Sequence, residues 1–252
     1  APEAKFVLSK EEQVRAIEFH ARNEAHKLIE ECMVLANVAA ARELHRLHVP
    51  GLYRVHQPPE QRKLDTLKGT LQVLGIELQL PEEVRTRDLA GIAPRVRDPE
   101  LRPFVESLVV RSLAQAVYQP GNSGHFGLAL PDYAHFTSPI RRYPDLLVHR
   151  ALRAGLGLAP QQSTPDAVAL EAIGADLSRL EKRADEADRY VENFLKCVYL
   201  RDRIGQCFDG LITTVVEFGC FVQLLGVGVD GLLHLTALRD DDYAMTRDGG
   251  QW

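Results

Sequence analysis

A chain of 252 residues, 45% hydrophobic and 26% charged, can bury a sizeable core as one large domain or as a domain plus a smaller module. The formal charge of −5 and pI near 6.0 exclude a globally basic polyanion binder, so any polyanion must be met by a local patch. No apolar run approaches the roughly 18 residues of a membrane span, and the opening "APEAKFVLSKEEQ" has no signal-peptide core, so no membrane partner is expected.

In chain order, "FVLSKEEQVRAIEFH" mixes a short apolar run with an alternating one and suggests a hairpin or a sheet edge. From Asn23 the period changes: Ala25, Leu28, Ile29, Cys32, Met33, Ala36, Ala39, Ala40, Leu44 and Leu47 recur at three- and four-residue steps until Pro50-Gly51, the signature of a long one-sided helix. A second helix is predicted from "PPEQRKLDTLKGTLQVLG", and a third from "DPELRPFVESLVVRSLAQAVY" up to Pro120. Gln119 to Thr137 is rich in glycine, proline, histidine and aromatics and reads as an ordered functional loop with short strands. After "LLVHRALRAGLG" comes a helical pattern of some 30 residues, from about Pro165 to Leu200. Composition breaks near Arg201 to Gly205, and the β-branched, glycine-punctuated remainder reads as three short strands of a small barrel. Cys32, Cys197, Cys207 and Cys220 form no CxxC pair, lie in apolar patterns and are expected to be reduced core residues of a cytoplasmic protein.

The stretch "HFTSPIRRYPD", His135 to Asp145, poses a problem in electrostatics. Ser138 and Pro139 read as an N-cap and a first helical position, which puts Arg141 and Arg142 where the helix dipole is already positive and favours anions. Pro144 would break a continuous helix, so Ser138 to Arg142 is expected to be a separate turn, with the main helix starting near Tyr143 or Pro144. Two explanations fit arginines at such a mouth: local pairing with Asp145 or Asp132, or a phosphate held by backbone N–H groups and a guanidinium fork. Between Arg111 and Pro160 five arginines face only two aspartates, a surplus of three positive charges. Phe218 and Phe221, with His234 nearby, read either as barrel core or as a platform on which unpaired bases stack.

The stretches "NEAHKLIEECMVLANVAAA", "GHFGLAL", "YAHFTSPIRRYPDLLVHRAL" and "EKRADEADRYVENFLKC", followed by "GLITTVVEFGCFVQL" and "VDGLLHL", resemble in this order the C-terminal half of the ribonuclease II catalytic domain joined to an S1 domain. This is the arrangement of the ribonuclease II/ribonuclease R family. The resemblance implies an α+β fold: a mainly helical half of the catalytic domain over residues 1–202, then an incomplete S1 OB-fold β-barrel over 203–252. It implies processive 3′-to-5′ hydrolysis of single-stranded RNA to nucleoside 5′-monophosphates by a monomer. Magnesium would be held by an aspartate cluster in the N-terminal half of that domain. It also implies that Arg141 contacts the scissile or a neighbouring phosphate, with Ser138, Arg142 and Tyr143 shaping the same wall. Asp188 matches an assisting acid on the long helix, where Glu181 and Glu186 compete with it. Phe218, Phe221 and His234 would complete the RNA contacts.

The family's aspartate-rich metal motif has no match here: "RDDDYA", Arg239 to Ala244, falls in the S1 region, and "ADEAD" has helical spacing. No metal ligand is assigned, and His125 and His135 lack cysteine or acid partners at zinc-ligand spacing. With no initiating methionine, the chain reads as a piece of a longer nuclease that is inactive by itself. The alternatives are a non-catalytic RNA-binding module and a helical scaffold whose arginines form structural ion pairs. A barrel cut after its third strand is expected to leave residues from about Ala237 onward poorly ordered.

Overall fold

The computed structural model describes residues 3–10, 14–20, 23–99, 101–160 and 164–238. It divides into two compact units, one formed by residues 22–184 and the other by residues 1–21 with 185–252. The fold is mixed α and β, as the sequence predicts.

In the larger unit, α1 (Glu24–Arg46) starts at Asn23, whose side chain accepts from the His26 N–H at 2.9 Å. Its apolar stripe is divided in use. Val38, Ala40, Ala41 and Leu44 are buried, whereas Leu28, Ile29 and Leu35 nearer the start remain exposed. The buried half packs on β3 (Tyr53–Val55) and on α5 (Tyr143–Gly155) through Tyr53, Val55, Ala134, Val148 and Ala151. A second core forms around α2 (Gln61–Val73), α3 (Thr86–Ala90) and α4 (Arg102–Ser112), filled by Leu64, Leu67, Leu71, Leu89, Ile92 and Val105.

The third helix is shorter than its sequence pattern. α4 ends at Ser112, and Val117–Gln119 form a strand, β4, antiparallel to β3. The segment satisfies the polar backbone of β3 instead of extending a helix, so tertiary pairing overrides the local period. The functional loop is ordered, as predicted. His125 bridges to His56 and to Leu130, and Gly127 N–H donates to His56 Nδ1 at 2.9 Å. A Cβ on Gly127 would lie 2.6 Å from that nitrogen, so no larger residue fits without displacing the ring. The long helix α6 spans Ala167–Arg201 and runs through both units.

In the smaller unit, β1 (Glu3–Leu8) and β2 (Val14–His20) form the predicted antiparallel hairpin. The three predicted short strands, β5 (Gly210–Val216), β6 (Gly219–Leu224) and β7 (Val229–His234), are present and pair as an antiparallel meander. One expectation fails: Cys32, Cys197 and Cys207 are exposed, and only Cys220, on the central strand β6, is buried. An apolar helical period marks a face but does not say whether the described residues cover it. The expectation for the end of the chain, and the "RDDDYA" run, lie outside the described residues from 239 onward.

Candidate nucleic-acid interface

Ser138 to Arg142 forms the separate turn that Pro144 demands, closed by Arg142 N–H on the Ser138 carbonyl at 3.0 Å, and α5 begins at Tyr143. Arg142 occupies the N-cap and Asp145 the first turn of α5. The wholly buried Asp145 carboxylate answers the electrostatic problem for one arginine. Its Oδ1 accepts from Arg142 Nη2 at 2.8 Å and from the Ser138 N–H at 2.8 Å. An anion at the helix mouth thus comes from the chain itself and ties the turn to the helix. The pair is one-armed, because Arg142 Nε and Asp145 Oδ2 are buried without partners, as is Thr137 Oγ1. Arg141, the tip residue, is exposed and has no ion pair among the described residues. The two arginines therefore separate: one fastens the turn and the other is free to meet something.

Behind the turn lies a polar network that the sequence pattern does not announce. Tyr118, from β4, is 5% exposed; its hydroxyl lies 2.8 Å from His135 Nδ1 and 3.5 Å from Glu181 Oε1 of α6. Arg54, from β3, stacks its guanidinium 4.5 Å from the centre of the Tyr118 ring and donates to Glu181 Oε2 at 2.6 Å. Burial pushes the Tyr118 phenol up to about 12. Burial, helped by the Arg142 and Arg54 charges, pulls His135 down to about 3. His125 falls to about 4 for the same first reason, with His56 and Arg54 adding to it. Both imidazoles are neutral at pH 7. Tyr133 packs edge-on between His125 and His135 and accepts through its hydroxyl from Asn37 of α1 at 3.0 Å.

These elements border a groove of about 540 Å³, with Ile29, Met33 and Val34 of α1 on one side and Leu128, Tyr133, Thr137 and Arg142 on the other. Of the exposed start of the α1 stripe, Ile29 is thus groove wall rather than core. The two carboxylates of this network are each taken by an arginine, Asp145 by Arg142 and Glu181 by Arg54, and the remaining groups are guanidiniums, phenols and imidazoles, a set that does not fit magnesium, which takes several carboxylate and water oxygens. Among the described residues no three His, Cys, Asp or Glu side chains are grouped to hold a metal ion.

The remaining predicted site residues fall as follows. Tyr143 is half-exposed at the start of α5. Asp188 is exposed on the part of α6 that belongs to the smaller unit, whereas its competitor Glu181 is engaged by Arg54. Phe218, in the β5–β6 turn, is 49% exposed and stacks on His234, with ring centres 6.4 Å apart and planes inclined by 25°. Phe221, on β6, is half-buried between Thr214 and Leu232. Phe218 and His234 are therefore brought together, and Phe221 is set among strand neighbours. Arg54, Tyr118 and Tyr133 were missed. The Tyr-x-His spacing of "DYAHF" was the one local signal, and it does not reveal the hydrogen-bond partners 17 and 96 residues away, Tyr118 for His135 and Asn37 for Tyr133.

A cationic turn over a groove in one unit, and an exposed aromatic pair on a three-stranded sheet in the other, are features of proteins that handle nucleic acid. Comparison with known proteins makes the class specific. Residues 1–157 match the RNB domain and residues 201–250 match the S1 RNA binding domain. The chain belongs to the RNB-domain family. It is 41% identical over 256 residues to ribonuclease R of Escherichia coli (strain K12), which covers 98% of this chain and 32% of that protein. It is 42% identical over 245 residues to ribonuclease R of Aquifex aeolicus, covering 96% and 34%. The solved structure of Mycoplasma genitalium RNase R in complex with ribose-methylated single-stranded RNA superposes with a TM-score of 0.89 at 29% identity, covering 98% of this chain and 39% of that one. The chain thus spans about a third of the length of these curated relatives.

Proposed function

We propose that this chain supplies the phosphate wall and part of the RNA grip of a processive 3′-to-5′ exoribonuclease, which hydrolyses single-stranded RNA to nucleoside 5′-monophosphates. One observation carries the reading: Arg141 is exposed and unpaired at a helix mouth where its neighbour Arg142 is already neutralised by Asp145. A guanidinium left free there has a phosphate as its natural partner, held bidentately and stabilised as charge develops. Ser138 and Arg142 hold the turn and Tyr143 borders it; in the smaller unit Asp188 adds to the RNA grip. Phe218 and His234, with Phe221 on the adjoining strand, stack unpaired bases. The similarity to ribonuclease R and the single-stranded RNA in its Mycoplasma genitalium counterpart support this substrate class. Residues 1–202 belong to the catalytic domain and 203–252 to the S1 domain. The intact enzyme is a cytoplasmic monomer that uses magnesium, held by carboxylates this chain does not contribute.

Arg141→Lys tests the reading in the full-length protein that carries this sequence. Lysine keeps the charge but loses the planar fork, so mononucleotide release from end-labelled single-stranded RNA should fall by about tenfold or more while affinity changes little. Wild-type turnover with weakened binding would reverse the assignment. The 252-residue chain incubated with magnesium should bind RNA weakly, more so at low salt, and release no mononucleotides. Release by this chain would show that it holds its own metal site.

A further inference from the structure

We propose that His135 is a further substrate-contacting residue of this site, presenting its imidazole Nε2–H to a non-bridging phosphate oxygen from the same wall as Arg141. The proposal rests on the exoribonuclease reading above.

The Tyr118 hydroxyl has one proton and two neighbours, His135 Nδ1 at 2.8 Å and Glu181 Oε1 at 3.5 Å. The Glu181 contact is longer than the usual range of about 2.5–3.0 Å for an O–H···O bond, so in the proposed arrangement the hydroxyl proton points to Nδ1 and the imidazole carries its own proton on Nε2; in the opposite tautomer Nδ1–H would donate to Tyr118, whose proton would turn to Glu181. Tyr118 cannot easily turn away. Its backbone N–H donates to Ser178 Oγ at 2.9 Å, its ring is covered by Arg54, and Arg54 is fastened to Glu181. Nε2 has no partner among the described residues and is not among the buried unpartnered atoms, so it is open to solvent. A satisfied core histidine would have both nitrogens engaged, as His56 does with the Gly127 N–H and the Ala114 carbonyl.

The charges that act on the ring are those of Arg54, Arg141, Arg142 and His125. Of the arginines, Arg54 is paired with Glu181 and Arg142 with Asp145, leaving Arg141 as the cation that shares an anion with His135. A ring held neutral adds a directed donor without adding a third positive charge that would need its own compensation. Its part is to bind and orient the phosphate, with no proton transferred.

The two ends of the ring can be tested separately in the full-length protein that carries this sequence. His135→Asn keeps an acceptor near the Nδ1 position and removes the distal donor; His135→Gln restores an N–H near the Nε2 position. Single-turnover mononucleotide release from end-labelled single-stranded RNA should fall about 10- to 100-fold for Asn, the usual effect of losing one hydrogen bond to a charged group, and return to within about fivefold for Gln. RNA dissociation constants should change less than about threefold, because many phosphates hold the strand. Wild-type turnover in the Asn variant, or equal losses in both, would overturn the proposal. Because either variant can misfold, nitrogen-15 NMR of the unmodified protein gives a second reading. A protonated Nε2 beside an unprotonated Nδ1 at pH 7 supports the assignment, and the opposite tautomer or an imidazolium overturns it. If the unmodified protein releases no mononucleotides, the exoribonuclease reading falls and this proposal with it; if it does, a failed variant pattern removes only His135.

Discussion

Replacing Asp145 with Asn tests whether the arginine turn is fastened by charge or only by shape. Asn retains an oxygen for the Ser138 N–H but leaves Arg142, 21% exposed, without its counter-ion. Removing one partner of a buried ion pair costs about 3–5 kcal/mol, because the other charge is stranded away from water. The remaining exposure lets water reach part of the Arg142 guanidinium, so we expect a cost at or just below the bottom of that range, about 2–3 kcal/mol, a large share of a domain's typical 5–15. Arg142→Met should cost at least as much, since it strands a carboxylate with no exposure at all. The double variant should cost less than the sum by about 1–3 kcal/mol, because with both charges gone neither is stranded. Urea unfolding of the four proteins, read as midpoint shifts at constant slope, gives each term. An Asp145→Asn loss below about 0.5 kcal/mol, the usual scale of a neutral surface change, or simple additivity in the double variant, would refute the reasoning.

Three further outcomes follow from the geometry. His135 and His125, pulled down to about 3 and about 4, bind fewer protons folded than unfolded, so their stability is full above about pH 6.5 and is lost as pH falls through that window. His135 alone should remove about 2 kcal/mol between pH 7 and pH 5, and an equally steep slope in His135→Gln, read by urea titration, would count against this. Gly174→Ala would place a Cβ 2.5 Å from the Tyr118 carbonyl oxygen, so overpacking of about 1–3 kcal/mol should outweigh the propensity gain of about 1 kcal/mol, and a stabilised variant would disprove it. Phe218→Ala should weaken single-stranded RNA binding by about 1–3 kcal/mol in fluorescence anisotropy, leaving stability nearly unchanged because the ring is half-exposed; unaltered affinity would remove it from the stacking platform.

Local chemistry was enough to read a good part of this molecule. The helical period from Asn23, the break imposed by Pro144, the long period ending near Leu200 and the turn between two β-branched runs are decided within a few residues, where sterics and backbone hydrogen bonds act. So was the arginine turn at a helix mouth, because cations there oppose the helix dipole wherever they occur. Which arginine is free was not legible. That depended on Asp145 being buried and turned toward Arg142 rather than solvated, and burial is a property of packing. The same holds for the early end of α4, where β3 drew Val117–Gln119 into a strand, and for the three exposed cysteines. The network of Arg54, Tyr118, His135 and Glu181 lies furthest from the sequence. Its members come from two strands, a loop and a helix, and their proton positions and pKa values are set by neighbours up to 127 residues apart in the chain. The sequence by itself determined most of the elements and the arginine turn; only the tertiary structure decided which groups are paired, which are neutral and which are left unpaired, because those depend on distances and desolvation that exist only after the chain has folded.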